Sequence, residues 1–567
     1  MRWTDYLLLV GFVAGMAIAP LTLDRLLGNH ETVHAQNLRE MLADGDWLIP
    51  HYGGRPWLER PPLPFWISMP VVSLWGDSSR VLRLISVLVG LVSVLLTGWM
   101  AGLFYGRAAG LLAGCILASM YEFVRYTHAP ESDIFVCSLV CGALALFVHV
   151  EFQRPDEPLR SFLGPRPWAV LAFFVLLGLG NLVKGLYFAD LHILVPLAGF
   201  LLLAPSPWKR LLHYVWLPGW LAFLVAAGTW AGLAYLRQPD IVELWASDYL
   251  GRIKGGYMRE PWWYYGPHLL LNLVPWTPLA LLGLGLTARS AWEQPRSAER
   301  FLWCWAVGPV LVLSLPQGKH HHYLLAVCPP WAILASVAAL QTHQWLLRQT
   351  WLRQPALPGM LVTAAILVVV ILGFTLPPFG PWLVPALVLI PLVLFLLWWA
   401  CTQRDRFRSL GTCVGLAALA FACKEFIDWK LAVGPRNDLA LLEAAKQEVP
   451  ADQKLLVLDN WGPLDASWSL YYLGERGQLL HNATFLRQTE QREMYVLSRP
   501  WQVPQMQSLG RVQRLRQSER SRNEKHPDYR LTLYRVRLHE HVVLSRDRAY
   551  ISPMQATGRA EGPYLFD

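Results

Sequence analysis

Residues able to do acid–base chemistry or to hold a phosphate recur at the ends of apolar segments in this 567-residue chain. Carboxylate and imidazole groups can act as general bases, whereas Lys, Arg and Tyr side chains can bind phosphate oxygens. Ionisable groups beside apolar helices are costly and by default indicate function. The set consists of His30, Glu31, Glu59, Arg60, Glu131, Asp133, Lys184, Lys319 and Tyr323. These residue types together predict a site for an anionic substrate.

Structural roles compete with the functional ones at several of these positions. Lys184 in a tight turn could only extend its ammonium to the interface. Asp133 could be the N-cap of a helix. The run His320–His322 suggests a metal site, but adjacent helical positions point in different directions, so three ligands on one ion are not expected. A divalent ion is therefore neither required nor excluded by the sequence.

The elements that must position these residues are membrane-spanning helices. The chain is 54% hydrophobic and 16% charged, whereas soluble proteins carry about 25% charged residues. Apolar runs long enough to cross roughly 30 Å of hydrocarbon recur along it. We predict a polytopic α-helical membrane protein with about 13 spans. They lie at about 5–23, 81–104, 109–124, 133–150, 167–183, 186–205, 212–235, 267–287, 301–316, 323–340, 358–376, 380–401 and 409–424.

The basic residues of the short loops predict the orientation of the spans. With the N-terminus inside, the inner loops hold Arg107, Arg154, Arg160, Arg166, Lys209, Arg210, Arg289, Arg296, Arg300, Arg348, Arg353, Arg404, Arg406 and Arg408. The short outer loops, which exclude the two long ones at 24–80 and 236–266, hold only Arg125, Lys184 and Lys319. This positive-inside bias predicts a multi-pass membrane protein with its site on the outer side. The net charge of +9 mostly reflects this topology, so no nucleic-acid partner is expected.

The predicted topology divides the chain into two regions. Residues 1–424 form the membrane domain, with outer loops at 24–80 and 236–266, and residues 425–567 form a small outer domain. The runs "KLLVLD", "SLYYLG", "EMYVLS" and "YRLTLYRV" suit the strands of an α/β fold. The eight cysteines lie within or at the ends of spans, so no disulfide is expected.

The first outer loop contains "GDWLIPHYGGRPWLERPPLPFW" at residues 45–66. Its prolines and tryptophans favour short interfacial helices with aromatic side chains at the level of the lipid headgroups. An amphipathic re-entrant loop without further function is the alternative.

These loops resemble one family, the GT-C membrane glycosyltransferases of the protein O-mannosyltransferase type. The bacterial aminoarabinose transferases that modify lipid A are the nearest in motif. The resemblance covers residues 5–345 and rests on long, ordered motifs. They read "HETVHAQNLREMLADGDWLIP", "LERPPLPFW", "RYTHAPESDIF", "NLVKGL", "PWWYYGPHLLLNLVPWTP" and "GKHHHYLLAVCPPWAIL".

The resemblance implies an enzyme that transfers a sugar from a polyprenyl phosphate, such as undecaprenyl phosphate, to a lipid, protein or glycan acceptor. It implies inversion at the anomeric carbon. Membrane lipids would be further partners. The resemblance also implies the bacterial cytoplasmic membrane, with the active site and the C-terminal domain on the periplasmic side. By resemblance, the catalytic candidates are Glu31, Asp133 and His30, and the candidates for binding the donor phosphate are Arg60, Lys184, Lys319 and Tyr323. Glu59 and Glu131 would support them.

Three departures from the family pattern affect these roles. His30 stands where the family has its usual catalytic Asp, so the role of base passes to Glu31, His30 or Asp133. Arg60 replaces a Lys and offers a bidentate grip on phosphate. A His that the family carries before "PWWxY" is missing, and Tyr257–Glu260 occupy that region.

Two other functions remain compatible with the sequence. A transporter or flippase of lipid-linked sugars would also need charges in the membrane, but it would usually show two similar halves. A catalytically inactive relative that binds lipid-linked sugars would fit the missing Asp. The sequence does not identify the sugar, the acceptor, the oligomeric state or any cofactor.

Overall fold

A computed structural model describes residues 1–544 with gaps. The gaps are 24–25, 154–164, 206, 244, 247–249, 251–258, 351–353, 355–356, 359, 361–362, 364–382, 432, 459–462, 481–482, 489–490, 520–529 and 543. The predicted span 358–376 and part of the predicted second outer loop lie outside the described residues.

Helices dominate the first three quarters of the described chain. Up to residue 237 they are α1 Trp3–Thr22, α2 Asn29–Asp44, α3 Leu63–Trp75, α4 Ser79–Tyr105, α5 Arg107–Ala118, α6 Tyr121–Thr127, α7 Ser132–Val148, α8 Pro165–Lys184, α9 Phe188–Leu202, α10 Pro207–Tyr214 and α11 Leu217–Arg237. They continue with α12 Tyr265–Asn272, α13 Thr277–Glu293, α14 Ala298–Leu313, α15 Cys328–Leu347, α16 Leu383–Thr402, α17 Arg406–Leu431 and α18 Val433–Glu448. A π-turn, His149–Gln153, follows α7, and a 3₁₀ turn, His321–Val327, precedes α15.

The polytopic helical architecture is confirmed, whereas the number of 13 spans is not. Six helices in the described part of the chain are long and apolar enough to cross a membrane, or up to eight if each bent helix pair counts as one span. Helices also coincide with the shorter predicted spans near the N-terminus and at 186–205, 301–316 and 380–401. Length and composition alone therefore leave the total open.

Two predicted spans are broken rather than continuous. The segment predicted at 109–124 consists of α5 and α6, which meet at 66°. The segment predicted at 267–287 consists of α12 and α13, which meet at 109°. Pro275 lies in the second break, and proline cannot donate the amide hydrogen bond that a continuous helix would require. Both breaks turn the chain next to residues of the predicted site.

The segment predicted as the first outer loop contains two helices, α2 and α3. A short antiparallel pair, β1 His51–Tyr52 and β2 Arg55–Pro56, lies between them. The indole of Trp230 in α11 donates to the carbonyl of Leu48 at 2.8 Å, and the indole of Trp66 donates to the carbonyl of Trp47 at 2.7 Å. The loop is thus fastened both to itself and to a membrane helix.

A five-stranded mixed sheet follows the last membrane helices. Its strands are β3 Leu455–Leu458, β4 Gly477–Leu480, β5 Glu493–Ser498, β6 Gly510–Gln517 and β7 Thr532–Leu538, in the order β4-β3-β5-β7-β6. The central strand β5 pairs parallel with β3 and antiparallel with β7. The strand prediction for "SLYYLG" is wrong, because this run belongs to the helix α19, Pro463–Leu473.

Helix α19 packs against α2, which explains its many apolar residues. Trp468 donates its indole N–H to the carbonyl of Leu27 at 3.0 Å, and the Tyr472 hydroxyl accepts from the amide of Leu27 at 2.8 Å. The Tyr471 hydroxyl donates to the carbonyl of Asp77 at 2.6 Å. The sheet region therefore holds the helix that carries His30 and Glu31. A short helix, α20 Val503–Gln507, completes this region.

Candidate functional site

An ion pair between Lys184 and Asp133 forms the centre of the candidate site. Asp133 lies in the first turn of α7 and Lys184 is the last residue of α8. Their Nζ and Oδ1 atoms are 2.5 Å apart, and their side chains are only 3% and 7% exposed. Because an unpaired charge is costly in such surroundings, each residue stabilises the charged form of the other. The two predicted site residues are therefore direct partners.

Aromatic rings surround the ammonium of Lys184 on its other sides. Its Nζ lies 4.8 Å from the ring centres of both Phe188 and Tyr323. These two rings contact each other edge to face at 4.8 Å. Tyr323 reaches this position from the 3₁₀ turn before α15, so the "GKHHHY" motif and the Lys-Gly turn meet here. Cation–π contact holds the ammonium in place without neutralising it.

His30 borders this centre from the start of α2. Its side chain is exposed, and desolvation by the neighbouring protein lowers its pKa to about 4. The neighbouring cations Arg60, Lys184 and Arg125 lower the pKa further, whereas Asp133 raises it. The imidazole is therefore neutral at physiological pH. The structure thus brings Arg60, Asp133 and Lys184 within electrostatic reach of His30.

Glu131 stands two residues before Asp133, at the N-cap of α7. Its carboxylate is half-buried and has no hydrogen bond or ion pair to any residue that the structure describes. Burial and the negative charges of Asp133 and Glu31 raise its pKa to about 8, against the opposing effect of Arg125 and Lys184. Glu131 thus stands among charged groups of both signs with its own oxygens available.

Glu31 occupies a different environment from Asp133. Its carboxylate accepts from the amide of Gly28 and so caps α2. It also lies 3.4 Å from the guanidinium of Arg83 in α4, whose side chain is fully buried, while Glu31 is 7% exposed. Arg83 donates in addition to the carbonyl of Leu26 at 3.3 Å. Arg83 is not among the residues predicted for the site, although an arginine inside an apolar span is itself a signal of function.

Lys319 does not join the Lys184 centre through any contact in the described chain. Its ammonium donates to the backbone carbonyls of Glu260 and Pro316, at 3.1 and 2.5 Å. Burial lowers the pKa of Lys319, and Glu260 raises it. The amide of Glu260 donates to the carbonyl of Gln317 at 3.1 Å. Lys319 therefore ties the loop before α12 to the "GKHHHY" motif.

Glu122 and His321 form a second pair, and neither residue was predicted as part of the site. Nδ1 of His321 lies 2.8 Å from the carboxylate of Glu122, which is fully buried in α6. Nε2 of His321 lies 3.5 Å from Nη1 of Arg125, an exposed residue. Because a guanidinium only donates, this contact favours the tautomer whose proton is on Nδ1. The remaining histidines of the motif stack on each other, 5.1 Å apart for His320 and His322.

Possible metal ligands are not grouped in the described residues. No set of three or more His, Cys, Asp and Glu side chains there has a spacing that could hold a metal ion. All eight cysteines are free thiols. The geometry instead combines one buried cation, an unpaired carboxylate and a neutral imidazole, a set suited to binding a phosphate and moving a proton.

The sequence is similar to those of several known glycosyltransferases. Residues 59–231 match a family described as dolichyl-phosphate-mannose-protein mannosyltransferase. The undecaprenyl phosphate-α-4-amino-4-deoxy-L-arabinose arabinosyl transferase of Aeromonas salmonicida is 29% identical over 57% of this chain and 58% of its own length. The corresponding protein of Erwinia tasmaniensis is 28% identical over 78% of this chain and 77% of its own length. The match to the Aeromonas protein thus spans little more than half of that relative.

Solved structures show the same fold. ArnT from Cupriavidus metallidurans bound to undecaprenyl phosphate aligns with a TM-score of 0.71 at 18% identity, over 93% of this chain and 97% of that one. An oligosaccharyltransferase from Archaeoglobus fulgidus aligns with a TM-score of 0.52 at 12% identity, over 87% and 69%. The GT-C helical fold that the loop motifs predict is therefore confirmed.

Proposed function

Since the chain is similar in sequence and fold to GT-C glycosyltransferases of the aminoarabinose transferase type, we propose that it transfers a sugar from a polyprenyl-phosphate donor. The acceptor is a lipid, protein or glycan on the outer face of the cytoplasmic membrane. The observation that carries this proposal is the buried Lys184–Asp133 pair, which lies at the ends of two membrane helices beside an unpaired carboxylate. ArnT from Cupriavidus metallidurans, which has a similar fold, has been crystallised with undecaprenyl phosphate.

In this proposal the donor phosphate lies over Lys184, with Arg60 and the Tyr323 hydroxyl as further donors. The leaving group carries negative charge, and preorganised cations and hydroxyls stabilise such charge as it develops. Lys184 is already held by Asp133 and two aromatic rings, so little rearrangement is needed when the phosphate arrives. Lys319, predicted as a phosphate ligand, acts in our proposal by fixing the loop that carries Tyr323.

The proposed function is tested by mass spectrometry of envelope lipids and glycoproteins from cells with and without the gene. The matched control is a strain with the double variant Asp133→Asn/Lys184→Met, which keeps the shape of the pair but removes its charges. We expect a species heavier by one sugar in the wild type only. A flippase would move the donor without changing the mass of any acceptor, so identical spectra in all three strains would contradict transfer.

The proposed outer position of the site needs its own test. Ser132 precedes Asp133 and is partly exposed, whereas Arg296 lies in a loop predicted to be inside. We expect Ser132→Cys, but not Arg296→Cys, to react with a membrane-impermeant thiol reagent in cells with a permeabilised outer membrane. Both would be made in a Cys423→Ser background, because Cys423 is exposed. Labelling of Arg296→Cys alone would reverse the proposed orientation.

A further inference from the structure

We propose that Glu131 is the catalytic base, its carboxylate removing the proton from the acceptor oxygen that attacks the sugar. This inference rests on the proposed function and deepens it. The sequence had pointed to Glu31, Asp133 and His30 for this role and had given Glu131 only a supporting one. The described contacts of these residues distinguish among them.

Three other carboxylates around the site are already engaged by partners that the structure describes. Asp133 holds the ammonium of Lys184. Glu31 caps α2 and pairs with Arg83. Glu122 is fully buried against His321. If Asp133 or Glu31 took up a proton, a buried cation would lose its counter-ion, which is strongly unfavourable.

His30 is the remaining candidate from the sequence, since it stands where the family has Asp. The surrounding protein and the cations nearby make its imidazole difficult to protonate. A group that resists protonation in its resting environment is a poor proton acceptor near neutral pH. His30 is better suited to donate or accept a hydrogen bond with the substrate than to carry its proton.

Glu131 differs from Asp133, Glu31 and Glu122 in having no such partner among the described residues. Its carboxylate has no hydrogen bond or salt bridge to the described residues, and it is partly open to solvent. It interacts electrostatically with Lys184 and Arg125, the cations of the two neighbouring clusters, and with Asp133 and Glu31. A free carboxylate within electrostatic reach of both Lys184 and the exposed Arg125 can meet an acceptor that approaches the donor.

The proposed step involves Glu131, the acceptor and the polyprenyl-phosphate donor. Glu131 takes the proton of the acceptor O–H as the acceptor oxygen bonds to the anomeric carbon. The bond from that carbon to the phosphate oxygen breaks, and polyprenyl phosphate leaves with the electron pair. Lys184 balances the charge on the leaving phosphate. Glu131 then returns its proton to solvent, for which its partial exposure provides a path.

The test compares Glu131→Gln with wild type in the formation of the sugar-bearing product by membranes supplied with donor. Removal of a general base costs about 10²- to 10⁴-fold in rate. We expect a loss of that size in turnover, with the affinity for undecaprenyl phosphate unchanged. Glu131→Asp should recover part of the activity. Glu293→Gln, which removes a carboxylate from an exposed pair with Arg289, is the matched control and should retain the wild-type rate.

The pH profile provides a readout that a structural role would not produce. The pKa of Glu131 is raised to about 8 by burial, Asp133 and Glu31, and is opposed by Arg125 and Lys184; the phenol of Tyr126 also interacts with it. A base must be ionised, so kcat/KM should rise as the pH rises through about 8. With His30 as the base the rise would instead lie near pH 4.

The outcomes separate this inference from the proposed function. Wild-type membranes that form product, together with a Glu131→Gln variant that forms it at the same rate, would overturn the inference and leave the function intact. An equal loss in Glu131→Gln and Glu131→Asp with weakened undecaprenyl phosphate binding would assign Glu131 to donor binding and would also overturn it. Absence of product from the wild type itself would overturn both.

Discussion

Two buried ion pairs connect helices in the described part of the chain, and they differ in what lies around them. Asp133 and Lys184 are 2.5 Å apart at the ends of α7 and α8. Glu31 and Arg83 are 3.4 Å apart between α2 and α4. The first pair faces aromatic rings, a neutral imidazole and an unpaired carboxylate. The second is joined to the backbone at Gly28 and Leu26.

The difference in surroundings indicates that the two ion pairs, although chemically similar, have different roles. The backbone contacts of Glu31 and Arg83 fasten the start of α2 to the membrane helices, so this pair positions His30. The Lys184 ammonium instead lies between π faces, which hold it but leave its charge to be used. We therefore assign substrate binding to the Asp133–Lys184 pair and anchoring to the Glu31–Arg83 pair.

Removing one member of the tighter pair should have the largest effect on stability. Asp133→Ala leaves the ammonium of Lys184 buried without its counter-ion, and loss of one partner of a buried pair typically costs about 3–5 kcal/mol. We expect a fall of this order in the free energy of unfolding, measured by denaturant titration in detergent micelles. The double variant Asp133→Asn/Lys184→Met should recover most of it. A double variant as unstable as Asp133→Ala would contradict the assignment of the cost to the stranded charge.

Loss of the carboxylate charge in the longer pair, Glu31 and Arg83, should lower the free energy of unfolding by less. Glu31→Gln keeps an oxygen that can accept from Gly28, and Arg83 retains the carbonyl of Leu26. We expect a loss of about 1–3 kcal/mol in the free energy of unfolding, typical of an under-satisfied buried polar group. Arg83→Lys, which keeps the positive charge, is the second variant of this pair to be measured. A loss larger than that of Asp133→Ala would reverse the ranking of the two pairs.

Both members of the first pair belong to the site predicted from the sequence, whereas only Glu31 of the second pair does, for a physical reason. Asp133 and Lys184 each stand in a motif at the mouth of a span, where charge is unusual enough to be noticed. Arg83 lies in an apolar span and its partner is 52 residues away, so nothing in the local pattern links the two. The contact between Glu122 and His321, 199 residues apart, escapes prediction for the same reason.

The secondary structure was likewise predictable where the local sequence decides it, and not where tertiary packing decides it. Apolar length predicted the membrane segments at 81–104 and 133–150 well, because a helix is the main way to satisfy backbone groups in lipid. Length alone could not show the turns inside 109–124 and 267–287, where the chain remains apolar through the break. "SLYYLG" is apolar enough for either helix or strand, and its packing against α2 decides the outcome.

The smallest effect is expected at a third pair, which joins the same outer loop to the α19 side. Arg39 and Asp77 are 2.6 Å apart and about 30% exposed, and the guanidinium of Arg39 lies 4.3 Å from the ring centre of Tyr471. Exposed pairs contribute about 0.2–1 kcal/mol. Asp77→Asn should therefore lower the free energy of unfolding by no more than this and leave undecaprenyl phosphate binding unchanged. A loss comparable with that of Asp133→Ala would show that docking of α19, rather than burial of charge, controls stability.

Affinity for undecaprenyl phosphate tests the assignment of the two buried pairs most directly. The dissociation constant would be measured for the purified wild type, for Asp133→Asn/Lys184→Met and for Glu31→Gln/Arg83→Met, so that neither variant strands a charge. A charge-assisted contact contributes about 1.5–3 kcal/mol. We expect binding to weaken by roughly ten- to a hundredfold in the first variant and by less than about threefold in the second. Unchanged binding in the first variant, or the larger loss in the second, would contradict the account.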